Sequence, residues 1–166
     1  TSYATNFRET LPLPSKLLLY GDYYKDAISP LGFWGDTLRV VGSPRIDAYR
    51  QMENEQLAPD ICNLIFTSQG IDQATVTEFF RQFLILAQDE LKVNLSIKLH
   101  PGNERDATVY TDSLSDFNNV KIYESVDQPS TFQLIKKADL HLSISSTCHF
   151  EALALGTPTV ILPFFS

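Results

Sequence analysis

The sequence predicts an α/β protein whose main part is a doubly wound, Rossmann-like parallel sheet. From residue 61 onward, five short apolar runs alternate with helical segments, and no internal repeat or low-complexity stretch interrupts the alternation. Such an order is typical of right-handed βαβ crossovers, which build a mainly parallel sheet covered by helices on both faces. We therefore expect one Rossmann-like domain, preceded by a shorter piece of another domain.

The first 56 residues are expected to be the remnant of an N-terminal domain and its interdomain helix. Two buried strands, "KLLLY" at 16–20 and "LRVVGS" at 38–43, are each followed by a helix. The second of these helices begins at Pro44, because proline is favoured at the first helical position. The polar, proline-bearing stretch 57–60 ("LAPD") is a candidate linker. The Rossmann-like domain is then expected to span 57–166.

After this linker, each predicted strand is separated from the next by a helix. The predicted strands cover 61–68, 93–101, 120–125, 139–145 and 158–163. The predicted helices cover 74–89, a polar part of 104–116, 131–138 and 147–155. With the common strand order 3-2-1-4-5, the first and fourth strands of this domain border one crevice at their carboxyl ends, where ligands bind in such sheets.

Three loops rich in small polar groups are expected to meet at that crevice. "TSQG" (67–70) follows the first strand of the domain, "HPGN" (100–103) follows the second, and "SST" (145–147) follows the fourth. A helix that begins at Ser146 or Thr147 directs free backbone N–H groups and its positive dipole end toward the crevice. Together with the hydroxyls of the turn, these groups would bind phosphate without a lysine. The alternative is an ordinary helix N-cap, for which serine and threonine are favoured.

Two further side chains are candidates for the same crevice. The imidazole of His100 could donate a hydrogen bond to a phosphate oxygen, although a histidine beside a proline at a strand end is often only a loop residue. Glu151 lies four residues after Thr147 on the same helix face. Its carboxylate could accept both hydroxyls of a ribose, or it could be an acid favoured by the helix dipole.

Composition and charge exclude several classes of function. The formal net charge is −7 and the isoelectric point is about 4.8, so no broad basic surface is available for nucleic acid. The histidines lack metal-ligand spacing, and we predict neither a metal site nor a cofactor. Cys62 and Cys148 suit a reduced cytoplasmic interior, and no signal peptide or integral membrane segment is visible. We expect a fragment truncated at its C-terminus, from a cytoplasmic protein that can be peripheral to a membrane when complete.

Several motifs carry a resemblance to known enzymes. "SSTCHFEALALGTPTVILPF" resembles the donor-binding segment of GT-B glycosyltransferases. "HPGN" with the downstream "SST" is similar to motifs of bacterial sialyltransferases, polysialyltransferases and CDP-glycerol glycerophosphotransferases. "LLLYGDYYKDAI" and "LRVVGSPRIDAY" resemble the end of the acceptor-side domain in surface-polysaccharide members of this group.

The resemblance implies the donor-binding part of a glycosyltransferase. Such an enzyme moves a sugar, such as sialic acid or a related unit, from a CMP-, CDP- or UDP-activated donor to a glycan acceptor in surface polysaccharide or glycan biosynthesis. His100 and residues 145–147 would hold the donor phosphate, and His100 would stabilise the leaving group as negative charge develops. Glu151 would hold the ribose, and residues 123–126 would flank the base. The full set of candidate residues is His100 as the catalytic residue and Ser68, Gln69, His100, Pro101, Gly102, Tyr123, Ser125, Ser145, Ser146, Thr147 and Glu151 as substrate contacts.

Two alternatives remain open at the level of sequence. A UDP-N-acetylhexosamine 2-epimerase shares the fold and the crevice. A glycine-rich "SGG" turn is typical of such enzymes at the position where this chain has "SST", and this difference counts against the alternative. A non-catalytic nucleotide-binding domain would retain the fold without the chemistry. No Asp/Glu-rich motif for a general base is found, so the transferase interpretation places the base outside this chain and expects the fragment alone to be inactive.

Overall fold

The computed structural model describes residues 14–31, 36–51, 60–104, 106–124 and 128–164. The chain divides into two compact units between Ala48 and Tyr49. Apart from Asp60, the predicted linker lies outside the described residues. Where the structure describes the chain, no helix has the length and apolar character needed to span a bilayer.

The first unit contains a short parallel strand pair. Strand β1 (Leu17–Leu19) pairs with β2 (Leu38–Val40), so that each residue of one faces its counterpart in the other. Helix α1 (Asp22–Ile28) and a single 3₁₀ turn (Ser29–Leu31) follow β1. Helix α2 (Pro44–Arg50) begins at the predicted proline and ends in the second unit. The strands and helices predicted here are therefore present, with shorter strands.

The second unit is a five-stranded, fully parallel sheet with the order β5-β4-β3-β6-β7. Counted within this unit, the order is the predicted 3-2-1-4-5, and the predicted fold class is confirmed. The strands are β3 (Cys62–Thr67), β4 (Val93–Lys98), β5 (Val120–Tyr123), β6 (Leu140–Ser143) and β7 (Thr159–Ile161). The helices are α3 (Gln73–Ala87), α4 (Thr108–Ser113), α5 (Thr131–Lys137) and α6 (Cys148–Leu155).

Apolar side chains cover both faces of this sheet, because successive strand residues point to opposite sides. On one face Phe66 packs edge to face against Phe80 of α3, with ring centroids 5.1 Å apart, and buried Ile97 and Tyr110 belong to the same cluster. On the other face Ile65 packs with residues of α5 and α6. These two clusters bury both faces of the sheet.

The strands end earlier than the sequence predicts. In the register of the sheet Thr67 of β3 lies beside Lys98 of β4, so the two strands end at the same level. Beyond this level, Leu99 N still donates to Tyr123 O at 3.0 Å, and the chain then turns at His100. The polar helix predicted within 104–116 is limited to α4, and Glu104 lies in the loop before it. The loops after β3, β4 and β6 therefore start at one edge of the sheet.

Candidate functional site

Hydrogen bonds tie these three loops together through Gln69. The side-chain amide of Gln69 donates to Ser145 O, and Ser145 N donates to Gln69 Oε1 at 2.8 Å. From the third loop, Asn103 Nδ2 donates to Gln69 O at 3.3 Å. The loops containing 67–70, 100–103 and 145–147 thus meet, as the sequence predicts.

The turn of residues 145–147, hereafter the serine turn, precedes helix α6. Ser146 Oγ accepts a hydrogen bond from Cys148 N at 3.2 Å, so this hydroxyl closes a local side-chain turn at the start of α6. Thr147 is the N-cap residue, yet its side chain makes no capping bond. Within the described part of the chain, the backbone N–H groups of Ser146 and Thr147 have no acceptor. These amides and the positive end of the α6 dipole suit a bound anion.

The "HPGN" turn fixes the ring of His100. Gly102 N and Asn103 N donate to His100 Nδ1 at 3.0 and 3.2 Å. Since Nδ1 accepts these bonds, the neutral ring carries its proton on Nε2, which is left as a donor. Pro101 and Gly102 are exposed and shape this turn. A Cβ at Gly102 would stand 3.4 Å from His100 Cε1, so this turn packs directly against the ring.

Two residues predicted as substrate contacts have side chains that bond protein groups instead. Ser68 is only 4% exposed, and its hydroxyl lies 2.6 Å from Glu104 Oε1 and 2.7 Å from Tyr110 Oη. Both polar atoms of the Gln69 side chain bond the backbone of Ser145. Ser68 and Gln69 therefore hold the loops in place. Side-chain contacts to a ligand are left to residues of the neighbouring loops.

Glu151 lies one turn into α6 and is half-buried. Its backbone N donates to Thr147 O at 3.3 Å. Burial raises the pKa of the Cys148 thiol, and the Glu151 carboxylate acts in the same direction. The thiol consequently stays protonated at pH 7. Glu151 is the fourth residue of the helix rather than the third, so it forms no capping box.

The predicted base-flanking segment is described only in part. The ring of Tyr123 is half-buried and packs against the cluster beneath α5 and α6. Lys121 Nζ lies 5.0 Å and Lys98 Nζ 6.0 Å from the centroid of this ring. Ser125 lies outside the described residues, as does Val126.

The sequence interpretation missed Glu104, a carboxylate that is 4% exposed and lies where these loops meet. In the sequence it looks like a solvated acid at the start of a polar helix. Only its position four residues after His100 could have marked it, because Glu104 N donates to His100 O at 3.1 Å and closes the turn.

The other two histidines, His141 of β6 and His149 of α6, both contact Thr159. His141 Nε2 is 2.8 Å from Thr67 Oγ1, and Nδ1 is 2.7 Å from Thr159 Oγ1. His149 Nδ1 lies 2.6 Å from the same Thr159 hydroxyl. Burial lowers the pKa of His141 to about 4, and the neighbouring His149 acts in the same direction. Both rings are therefore neutral at pH 7. Among the residues that the structure describes, no group of three His, Cys, Asp or Glu side chains could hold a metal ion.

Comparisons with known proteins identify the fold. No protein-family model and no curated protein matches the chain. MnaA of S. aureus, solved with UDP, is similar with a TM-score of 0.69 and 17% identity, over 90% of this chain and 42% of that chain. The UDP-GlcNAc 2-epimerase from Neisseria meningitidis, bound to UDP-GlcNAc, is similar with a TM-score of 0.64 and 22% identity, over 89% of this chain and 44% of that chain.

A variant of the wall teichoic acid polymerase TagF is also similar, with a TM-score of 0.56 and 14% identity, over 89% of this chain and 39% of that chain. The chain thus spans less than half the length of these three proteins. At such identities the likeness shows the fold, which is the Rossmann-like GT-B type. These relatives include 2-epimerases and a polymerase, and they lend no support to the sialyltransferase part of the sequence resemblance.

Proposed function

We propose that the second unit binds the nucleoside diphosphate part of a nucleotide sugar, with UDP as the first candidate. The observation that carries this proposal is the pair of backbone amides of Ser146 and Thr147 at the start of α6, which have no acceptor among the described residues. They lie on a loop that Gln69 ties to the loop of His100, whose Nε2–H is a donor. Amides, hydroxyls and a helix dipole together bind a diphosphate without a basic side chain.

Each part of the nucleotide has a proposed partner. The phosphate oxygens accept from the serine turn, including the hydroxyls of Ser145 and Thr147, and from His100. The ribose hydroxyls donate to Glu151, and Tyr123 flanks the base. As the bond between sugar and diphosphate breaks, negative charge grows on the phosphate oxygens, and donors already aimed at them stabilise the transition state. This is the role in which His100 would be catalytic.

The nucleotide-sugar 2-epimerase is the activity that we favour. It is the activity named for several of the similar structures, and two of these were solved with UDP-GlcNAc. Such an activity requires the diphosphate to be held while the sugar reacts, which suits a site built around phosphate donors. The "SST" turn in place of "SGG" supplies extra hydroxyls to the same anion and is compatible with this role.

Transfer of a group from a nucleotide-activated donor is the second candidate. The "HPGN" loop paired with the "SST" turn favours it, as does the likeness to TagF. In this case CDP or CMP replaces UDP, a glycan or polymer is the acceptor, and the general base lies outside this chain.

A ligand panel tests the proposal. Thermal unfolding should be followed with UDP, UDP-GlcNAc, CDP, CMP and uridine at equal concentrations, because a ligand that binds only the folded state raises Tm. We expect UDP and UDP-GlcNAc to raise Tm most and uridine least. A larger shift with CDP or CMP would favour the transferase. If no nucleotide changes Tm, and calorimetry finds no binding heat, the proposal is wrong.

A further inference from the structure

We propose that Glu104 is a positioning residue of this site, which holds the "HPGN" turn so that His100 presents Nε2–H to a phosphate group. The inference rests on the proposed function for the identity of the ligand, because the phosphate is taken to be that of a nucleotide. Its structural part concerns how one buried carboxylate organises two loops.

The Glu104 carboxylate accepts hydrogen bonds from four donors on four segments of the chain. Oε2 accepts from His100 N at 2.9 Å. The donors to Oε1 come from the loop after β3, from α3 and from α4. They are Ser68 Oγ at 2.6 Å, Gln73 Nε2 at 2.9 Å and Tyr110 Oη at 3.2 Å.

The two carboxylate oxygens thus have different tasks. Oε1 anchors the side chain to the rigid part of the unit, since Tyr110 is fully buried in the core and Gln73 begins α3. Oε2 fixes the backbone of His100 at the end of β4. Because Glu104 N also donates to His100 O, residues 100 and 104 are bonded to each other twice.

This double connection determines the state of the His100 ring. It closes the turn from which Gly102 N and Asn103 N donate to Nδ1. If Oε2 no longer accepts from His100 N, the turn can open, and Nδ1 loses the donors that keep the proton on Nε2. Glu104 therefore acts on the ligand through His100, without contact of its own.

The surroundings are shaped to admit this carboxylate. Gly70 has a left-handed φ of 72°, and a Cβ there would lie 3.0 Å from Glu104 Cγ, so the loop after β3 packs directly on the Glu104 side chain. Over the described residues, neither of the two ion pairs formed includes Glu104. A buried carboxylate bonded only by neutral donors is costly, but its two oxygens can accept from all four donors, which an amide cannot do.

The test compares Glu104→Gln with a control that loses a buried hydrogen bond elsewhere. In Glu104→Gln an NH2 group replaces one carboxylate oxygen, so the side chain can no longer accept hydrogen bonds at both the Oε1 and the Oε2 positions. The control is Thr157→Val, since Thr157 Oγ1 donates to Ile135 O at 2.8 Å at the amino end of β7, the opposite edge of the sheet. The three readouts are Tm, the Kd for uridine divided by the Kd for UDP, and the ¹⁵N shifts of the His100 ring.

For Glu104→Gln we expect the Kd ratio to fall roughly tenfold, because only UDP has a phosphate that meets His100. The ¹⁵N shifts of the His100 ring should move toward those of a mixture of tautomers. Thr157→Val should lower Tm and change neither the Kd ratio nor these shifts. In the background of His100→Ala, Glu104→Gln should have no further effect on the ratio. If Glu104→Gln does not fold, Glu104→Asp, which retains the charge and shortens the reach, should give the same changes.

A lower Tm with an unchanged ratio and unchanged His100 shifts would overturn the proposal and leave Glu104 with a structural role alone. If the native chain does not distinguish UDP from uridine, the proposed function fails instead. The His100 shifts in the unliganded chain then decide between a positioning and a structural role for Glu104.

Discussion

His100 and Glu151 are assigned to different parts of a nucleotide, so their substitutions should have different signatures. His100→Ala should weaken UDP binding by about 1.5–3 kcal/mol, the range for a hydrogen bond to a charged group, and leave uridine binding unchanged. Glu151→Ala should weaken UDP and uridine alike, because both contain the ribose hydroxyls. Calorimetric titration measures both, with Glu78→Ala, an exposed acid on α3, as the control. Equal small losses for both ligands in His100→Ala would remove its phosphate role.

His141 makes stability depend on pH through its buried ring. The pKa of His141 is about 4 in the folded chain, whereas the ordinary pKa of histidine is 6.5. As the pH falls from 6.5 toward 4, the unfolded chain binds a proton that the folded chain does not. The free energy of unfolding should therefore fall, with a slope that approaches about 1.4 kcal/mol per pH unit. Above pH 6.5 the effect vanishes.

Urea unfolding of the native chain and His141→Gln at pH 7 and pH 5 measures this contribution. The variant should be less stable at pH 7, since His141 bonds Thr67 and Thr159, but it should lose less stability between the two pH values. Because the carboxylates titrate in both proteins, the difference between them isolates His141. An identical loss in both would show that His141 does not titrate in this way.

At the scale of elements, Gln69 joins the loop after β3 to the start of α6. Gln69→Ala removes both hydrogen bonds to the Ser145 backbone, each worth about 0.5–1.5 kcal/mol. Hydrogen exchange of the Ser145 amide should become faster, and UDP should bind more weakly because the serine turn is no longer held. Gln82→Ala on α3, whose amide bonds only the exposed Glu78, is the matched control. Unchanged exchange at Ser145 would contradict this role.

The same loops show how far sequence predicts structure. The alternation of strands and helices and the meeting of the loops at 67–70 and 145–147 follow from local periodicity and from the rules of βαβ units. The directions of Ser68 and Gln69 could not be predicted in this way. The two neighbours point to opposite loops because Glu104 and Ser145 happen to lie on either side, which only tertiary packing decides. The buried position of Glu104 has the same origin.

At the scale of the whole molecule, the parallel sheet brings local phosphate donors together in a chain of net charge −7. Because no broad basic surface is expected at this charge, the chain should not bind nucleic acid. Fluorescence polarisation with labelled duplex DNA and single-stranded RNA at about 50 mM salt should show no change, since such binding depends on neutralising many phosphates. Salt-dependent binding of either nucleic acid would contradict the assignment of a compact anion site.

The location of nucleotide binding is best measured by ¹H–¹⁵N correlation spectra of the chain during titration with UDP and with uridine. The amides of Ser146, Thr147, Gly102 and Asn103 should shift with UDP and shift much less with uridine, because the phosphates lie at the start of α6 and beside the "HPGN" turn. Shifts confined to the opposite edge of the sheet, around Asn94 and Asn119, would contradict the proposed site. The absence of any shift at millimolar UDP would contradict nucleotide binding itself.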